Sequence, residues 1–279
     1  MPVSKGQKSR RLLVGIVLDR SSSMDSVRAE TISGTNEQFS ALRDSDDADN
    51  TFVAMWTFND RVTPLFTDEN DADGKPIPAL VEIGAVKDLG DGDYLPSGMT
   101  AMYDGVGDAI DFLAAEAKKS DSVVVVIISD GMENASQRFT SAAIASRVKE
   151  LQDSGWTFTY IGANQDLTQV SAELGIHQGN VLGWRSDGVG TTTMQGVVAS
   201  SLRSYTSARS SAMAKGQDVF ATNCLYTPED RTKVGDSVDG STSLSTDMPV
   251  GDTVDLSTTV PPSDTPIEGN SDEDTPSSS

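Results

Sequence analysis

The stretch Leu12-Leu13-Val14-Gly15-Ile16-Val17-Leu18-Asp19-Arg20-Ser21-Ser22-Ser23-Met24 decides how this chain is read. Its apolar run, Leu12 to Leu18, is unbroken, too short for a sizeable helix and without the alternation of a half-buried strand. Such a run reads as a strand buried on both faces, as in a parallel sheet covered by helices. It ends on a carboxylate followed by hydroxyls, where the chain must leave the carboxyl edge of the sheet. Lys5, Lys8, Arg10 and Arg11 precede the run, as basic residues precede the apolar part of a secretory signal. The run is short, lacks a small-residue cleavage site and stops at Asp19, so the strand reading is preferred.

Working outward, apolar runs alternate with helical patterns, which predicts repeated βα units: a Rossmann-like, doubly wound, mostly parallel α/β sheet with helices on both faces. Asp25 to Arg43 is expected to be a helix with Val27, Phe39 and Leu42 inward and Gly34 weakening its centre. Thr51–Phe58 and Val62–Phe66 read as a hairpin closed by Asn59-Asp60-Arg61, giving one antiparallel edge strand. Val106, Ala109, Ile110, Leu113 and Ala117 fall at helical spacing, ahead of Lys118 and Lys119. Val123–Ile128 is the most apolar run and the expected central strand. A helix through Ile144, Val148 and Leu151 is capped by Thr140 or Ser141 and stopped by Gly155. Trp156–Ile161 and Val181–Trp184 complete the strands, Leu167–Leu174 is a short helix, and Val197, Val198, Leu202 and Tyr205 mark a last one.

Composition sets the outer limits. The 279 residues carry 42 acidic and 21 basic side chains, a formal net charge of −21. Nucleic-acid backbones and anionic membranes would be repelled, so neither is expected as a partner; cations are favoured. No stretch is long enough to cross a bilayer. The single cysteine, Cys224, excludes an internal disulfide and a thiolate metal cluster, and the single histidine, His177, excludes a multi-histidine site. His177 itself reads as a surface or cap residue. From Thr227 to Ser279 there are twelve acidic and two basic residues and no aromatic. That segment has too little apolar surface to offset the entropy of ordering it. The expected organisation is a basic lead (1–10), an α/β domain (11–215), a connector (216–226) and an acidic, disordered tail (227–279).

Three loops carry the chemistry. Asp19-Arg20-Ser21-Ser22-Ser23 follows the first strand, Ser97-Gly98-Met99-Thr100 precedes a helix, and Ser129-Asp130-Gly131 follows the central strand. In a parallel sheet all carboxyl ends share one edge, with ligands in the crevice there. Asp19, Ser21, Ser23, Thr100 and Asp130 would then form an all-oxygen set suited to a hard divalent cation, Asp130 binding through water. With so few charged ligands the cation keeps an exchangeable position, which a carboxylate from another molecule can fill. Taken singly, Asp19 and Asp130 read equally well as helix caps, and Ser21–Ser23 as a turn; with Thr100 added, the ligand reading is preferred.

These loops resemble a known family. Asp19-Arg20-Ser21-Ser22-Ser23 is similar to the Asp-x-Ser-x-Ser motif of von Willebrand factor A domains, Thr100 to that family's isolated threonine, and Asp130-Gly131 to its later aspartate, in the family's order. The resemblance implies a metal-ion-dependent adhesion site with Mg2+ (or Mn2+ or Ca2+) and a protein partner offering a carboxylate. Leu18-Asp19-Arg20-Ser21, Asp130-Gly131-Met132-Glu133-Asn134 and Ile161-Gly162-Ala163-Asn164-Gln165-Asp166 are also similar to small stand-alone bacterial and phage versions, which implies a cytoplasmic or virion-associated protein. One departure is Ser22, where the family usually has glycine to ease a tight turn.

Around this set, Asp104 reads as a helix N-terminal or supporting carboxylate, Glu133 and Asn134 as rim and cap residues, and Asn164, Gln165 and Asp166 as residues on the same edge, with partner contact the less favoured reading. Asp68-Glu69-Asn70-Asp71-Ala72-Asp73-Gly74 looks like a calcium loop but lacks the terminal glutamate and reads as a solvated loop. The expected function is metal-dependent protein binding and not catalysis. The alternatives are a virion or other assembly component with a structural metal loop, and a metal-dependent phosphohydrolase. The last is disfavoured because Ser21 stands where an aspartyl-nucleophile enzyme wants a second acid, and because no phosphate-binding Gly-x-x-x-x-Gly-Lys-Ser/Thr loop or Gly-x-Ser-x-Gly elbow is present.

Overall fold

The computed structural model describes residues 10–163, 166–215 and 226–234. Lys5, Lys8, Asn164, Gln165, Cys224 and the acidic segment 235–279 lie outside the described residues.

Strand β1 (Leu12–Asp19) is buried along its whole length and alternates between two cores. Leu12, Val14, Ile16 and Leu18 face one apolar cluster, and Leu13 and Val17 face the other. A 3-10 turn (Ser22–Val27) leads into α1 (Arg28–Arg43), and β2 (Thr51–Phe58) returns parallel to β1. The expected hairpin is present: β3 (Val62–Pro64) runs antiparallel to β2. Next come β4 (Thr67–Asn70), β5 (Pro76–Pro78) and β6 (Val81–Glu82). Helix α2 (Met102–Glu116) precedes the central β7 (Ser122–Ser129), then α3 (Ser141–Asp153), β8 (Thr157–Gly162), α4 (Leu167–Leu174), β9 (Val181–Gly183) and α5 (Gly188–Ala214). The sheet order is β3-β2-β1-β7-β8-β9, with β6 also pairing antiparallel to β2. It is a doubly wound sheet, parallel from β2 to β9, with its antiparallel edge shared by two short strands.

Helix ends follow the sequence signals. Thr140 accepts a hydrogen bond from the Ala143 amide, and Asp166 accepts from Thr168 and Gln169. Gly155, at φ 98°, sits just past α3 in a conformation that suits glycine. Asp166, expected on the open edge, thus serves as the cap of α4.

Gly34 does more than weaken a helix. At the α1–α5 crossing, a Cβ at this position would lie 2.1 Å from Gln195 Cγ and 2.3 Å from Gln195 Cβ. The two helices therefore approach through the missing side chain, and Gln38 donates to Gln195 Oε1 beside it. Gly34→Val is expected to cost about 2 kcal/mol through overpacking, read from urea unfolding; a change within error of wild type would show that the crossing relaxes freely.

Two segments differ from the sequence reading. The Asp68–Gly74 cluster is solvent-exposed, as expected, and adds strand pairing as the β4–β5 hairpin, with Asp71 Oδ1 accepting from the Asp73 and Lys75 amides at 3.0 and 2.8 Å. The carboxylate most central to the cluster is spent on its own turn. Beyond the composition break, Pro228–Val234 form a further helix, α6. Tyr226 and Val234 are buried, the Thr159 hydroxyl donates to the Tyr226 hydroxyl at 2.8 Å, and Arg231 donates to the carbonyls of Val181 and Gln178 at 2.8 Å. Two apolar anchors and one guanidinium are enough to hold this short stretch against β9. Among the described residues no helix is long and apolar enough to cross a membrane.

Candidate metal centre

Parallel pairing of β1 with β7 puts Leu18 opposite Ile128, so Asp19 and Ser129 emerge side by side at the carboxyl edge. Ser129, 110 residues from Asp19 in sequence, donates its hydroxyl to Asp19 Oδ2 at 2.6 Å. The Ser21 amide donates to Asp19 Oδ1 at 2.6 Å, closing the turn after the strand. Ser21 Oγ and Ser23 Oγ are 3.0 Å apart, and Ser23 Oγ donates to Asp130 Oδ1 at 2.6 Å. A Cβ built on Gly131 would lie 3.0 Å from Thr100 Oγ1, 3.5 Å from Ser23 Oγ and 3.6 Å from Asp19 Oδ2. The bare backbone of the third loop is thus faced by oxygens from the other two, and Asp130 joins the set through Ser23. The structure brings together all five side chains that the sequence singled out.

Other residues hold the loops in place. The Tyr94 hydroxyl, buried, donates to the Asp19 carbonyl at 2.6 Å. The Arg20 amide donates to Phe58 O at 2.7 Å, the Ser97 amide to Arg20 O at 2.8 Å, and the Ser22 amide to Gly98 O at 3.1 Å. Asn59 ties the second loop from below: its carbonyl accepts from the Ala101 amide and its Nδ2 donates to Ser97 O, both at 2.8 Å. The Thr100 amide donates to Asn134 Oδ1 at 2.9 Å, and Thr100 O accepts from the Asn134 amide at 3.0 Å. Glu133 Oε2 accepts from the Tyr103 amide at 3.0 Å, at the start of α2, which is the cap role expected of it. Asp104 accepts from the amides of Gln137, Arg138 and Phe139 at 2.9 to 3.1 Å and so supports the loop after β7.

Sequence reasoning missed Tyr94, Ser129 and Ser186, whose hydroxyl donates to Asp130 Oδ2 at 3.1 Å. Ser129 carried a signal, since it ends an apolar run as Asp19 does. Tyr94 and Ser186 sit in irregular segments and carried none. Ser22 opens the 3-10 turn and is exposed, so its side chain leaves the turn toward solvent. The position is right-handed, and serine occupies it without the conformational need for glycine.

The electrostatics suit a cation. Burial pushes the Asp19 carboxyl up to about 6 against the hydrogen bonds from Ser129 and Ser21, and the neighbouring Asp130 charge pushes the same way. A positive ion in the cleft would offset both effects. Among the described residues no group of three or more His, Cys, Asp or Glu side chains is placed to hold a metal. Any site here depends on hydroxyls, which favour hard cations.

A sequence profile of the von Willebrand factor type A domain matches residues 14–179, more than half of the chain. The chain belongs to the von Willebrand factor type A domain family. Among solved structures, the pilus adhesin SpaC from Lactobacillus rhamnosus GG shares the fold at TM-score 0.50 and 12% identity, over 71% of this chain and 31% of that one. Proximal thread matrix protein 1 from the mussel byssus, in a form whose MIDAS motif is zinc-occupied, aligns at TM-score 0.47 and 19% identity over 68% and 45% of the two chains. A von Willebrand factor type A protein from Catenulispora acidiphila aligns at TM-score 0.44 and 18% identity over 71% and 42%. This chain thus spans less than half the length of each. A comparison with curated proteins finds no match.

Proposed function

We propose that the chain is a divalent-metal-dependent protein-binding module, with Asp19, Ser21, Ser23, Thr100 and Asp130 holding Mg2+ and a partner's carboxylate completing the site. The observation that carries this reading is the convergence of Thr100 Oγ1, Ser23 Oγ and Asp19 Oδ2 on the space over Gly131. Only two carboxylates serve the site, with Asp130 acting through water, so a bound dication stays electrophilic and keeps an exchangeable position that an anionic side chain can fill. Mn2+ and Ca2+ accept the same ligand types. Binding and not turnover is supported by the absence of a second acid beside Asp19: Ser21 stands there, its hydroxyl 3.0 Å from that of Ser23. Placement inside a host cell or on a virion rests on the likeness of the loops to small stand-alone bacterial and phage versions.

The test is a pull-down from a native host lysate in Mg2+, in EDTA, and in EDTA with Mg2+ restored, run beside Asp19→Ala. Capture that follows Mg2+ and fails in the variant supports the proposal. Capture indifferent to both overturns it and favours a structural role for the loops. A second prediction concerns Gly131. A methyl group there would intrude on the metal's space, so Gly131→Ala is expected to weaken Mg2+ binding by about tenfold or more, equivalent to about 1.4 kcal/mol, with the circular dichroism spectrum unchanged. Unaltered affinity in calorimetry would place the metal elsewhere.

A further inference from the structure

Among the described residues, five large apolar side chains are exposed: Ile77, Leu95, Met99, Met132 and Val189. An exposed apolar side chain by itself means little. Their placement is informative, because all but Ile77 lie within three residues, along the chain, of a residue that builds the cleft. Leu95 follows Tyr94, whose hydroxyl holds the Asp19 carbonyl. Met99 precedes Thr100, and Met132 follows Gly131. Val189, in the first turn of α5, stands three residues after Ser186, whose hydroxyl donates to Asp130. These four side chains are 52 to 71% exposed. Other methionines of the domain, Met24, Met55, Met102 and Met194, are buried. Flexible, polarizable methionines are suited to surfaces that adapt to a ligand.

Charge narrows the occupant. Arg61 stands next to Asp60 in the chain, and Arg185 pairs with Asp187 at 2.7 Å. Arg20, within the first loop, turns its guanidinium to Asn59 Oδ1 at 3.4 Å, and the chain as a whole carries a net charge of −21. A polyacidic ligand would gain at the cation and be repelled everywhere else. We infer that the site selects a partner protein presenting a single carboxylate flanked by large aliphatic side chains, which pack on Leu95, Met99, Met132 and Val189 while the carboxylate meets the metal. The inference rests on the metal-dependent reading above and specifies its ligand.

Three immobilised peptides test it against the full chain: acetyl-Ala-Leu-Glu-Ile-Ala-amide, acetyl-Ala-Ser-Glu-Ser-Ala-amide and acetyl-Asp-Glu-Asp-Glu-Asp-amide, each in Mg2+ and in EDTA. Burial of two aliphatic side chains is expected to give the first peptide an advantage of about tenfold over the second. The double variant Met99→Ser, Met132→Ser should lose that preference and keep wild-type Mg2+ affinity in calorimetry, whereas Asp19→Ala should lose Mg2+ and all capture. Equal Mg2+-dependent capture of the first two peptides, or best capture of the polyacidic one, overturns the apolar rim and leaves the metal–carboxylate reading standing. Preference for the first peptide that persists in EDTA overturns the metal reading instead, and capture of none overturns both.

Discussion

Asp19→Ala is expected to erase the thermal stabilisation that Mg2+ confers on the wild-type chain. A ligand that binds only the folded state at one hundred times its dissociation constant adds about 2.7 kcal/mol. For a domain of this size that raises the melting temperature by about 5 to 10 °C. Asp19 is fully buried at the end of β1, and its Oδ2 is one of the three oxygens facing the space over Gly131. Its loss leaves Asp130 as the single carboxylate of the set. The metal-free variant should melt within a few degrees of metal-free wild type, because burial already works against the charged form of Asp19 when no cation is present. Scanning fluorimetry in EDTA and in millimolar Mg2+ measures all four states. An equal Mg2+ shift in both proteins, or none in wild type, would remove Asp19 from the proposed site.

Arg209→Met is expected to produce the largest loss of stability, about 3 to 5 kcal/mol, because it leaves a buried charge without its partner. Arg209 lies near the end of α5, almost wholly buried, and pairs with equally buried Asp47. Its Nε donates to Ser122 Oγ at 3.1 Å, and its terminal amino group donates to Arg10 O. One side chain thus fastens α5 to the starts of β1 and β7 and to the turn before β2. Asn50 donates to the other Asp47 oxygen at 3.1 Å, so Asp47 would not be left bare. Adding Asp47→Asn to Arg209→Met should recover part of the loss, since the stranded carboxylate is then gone. The anchor sits at the opposite end of the strands from Asp19, so Mg2+ affinity measured well below the melting transition should not change. Urea unfolding of the single and double variants decides the matter; a single-variant loss under about 1 kcal/mol would mean that the pair is only weakly coupled to the fold.

What was legible in the sequence follows from period and punctuation. The strands around Leu12–Leu18 and Val123–Ile128 were readable because both faces are buried, leaving unbroken apolar runs. Asp19 stood out because it ends one such run and Asp130 because it follows the other with one residue between, and the parallel register then makes the two distant strand ends neighbours. Helix ends marked by Thr140 and Gly155 were equally plain. The β4–β5 hairpin was not, since β4 is exposed along its length and no alternation survives in Thr67-Asp68-Glu69-Asn70. Helix α6 was hidden by its polar composition; what fixes it is tertiary, in Tyr226, Arg231 and Val234. The contacts of Tyr94 with Asp19 and of Arg209 with Asp47 span 75 and 162 residues, beyond any local pattern. Gly34 was read as a local weakness because its reason lies on another helix.

The oxygens of the cleft come from stretches of chain that meet only when β1, β7 and the loop before α2 are all in place. A chain in which those elements have not yet met cannot assemble the proposed magnesium site, so an ion bound there would add its stabilisation only once all three are joined. Unfolding would then require release of the proposed ion. Magnesium should accordingly leave the refolding arm of the chevron where it is and lower the unfolding arm, acting as a kinetic latch.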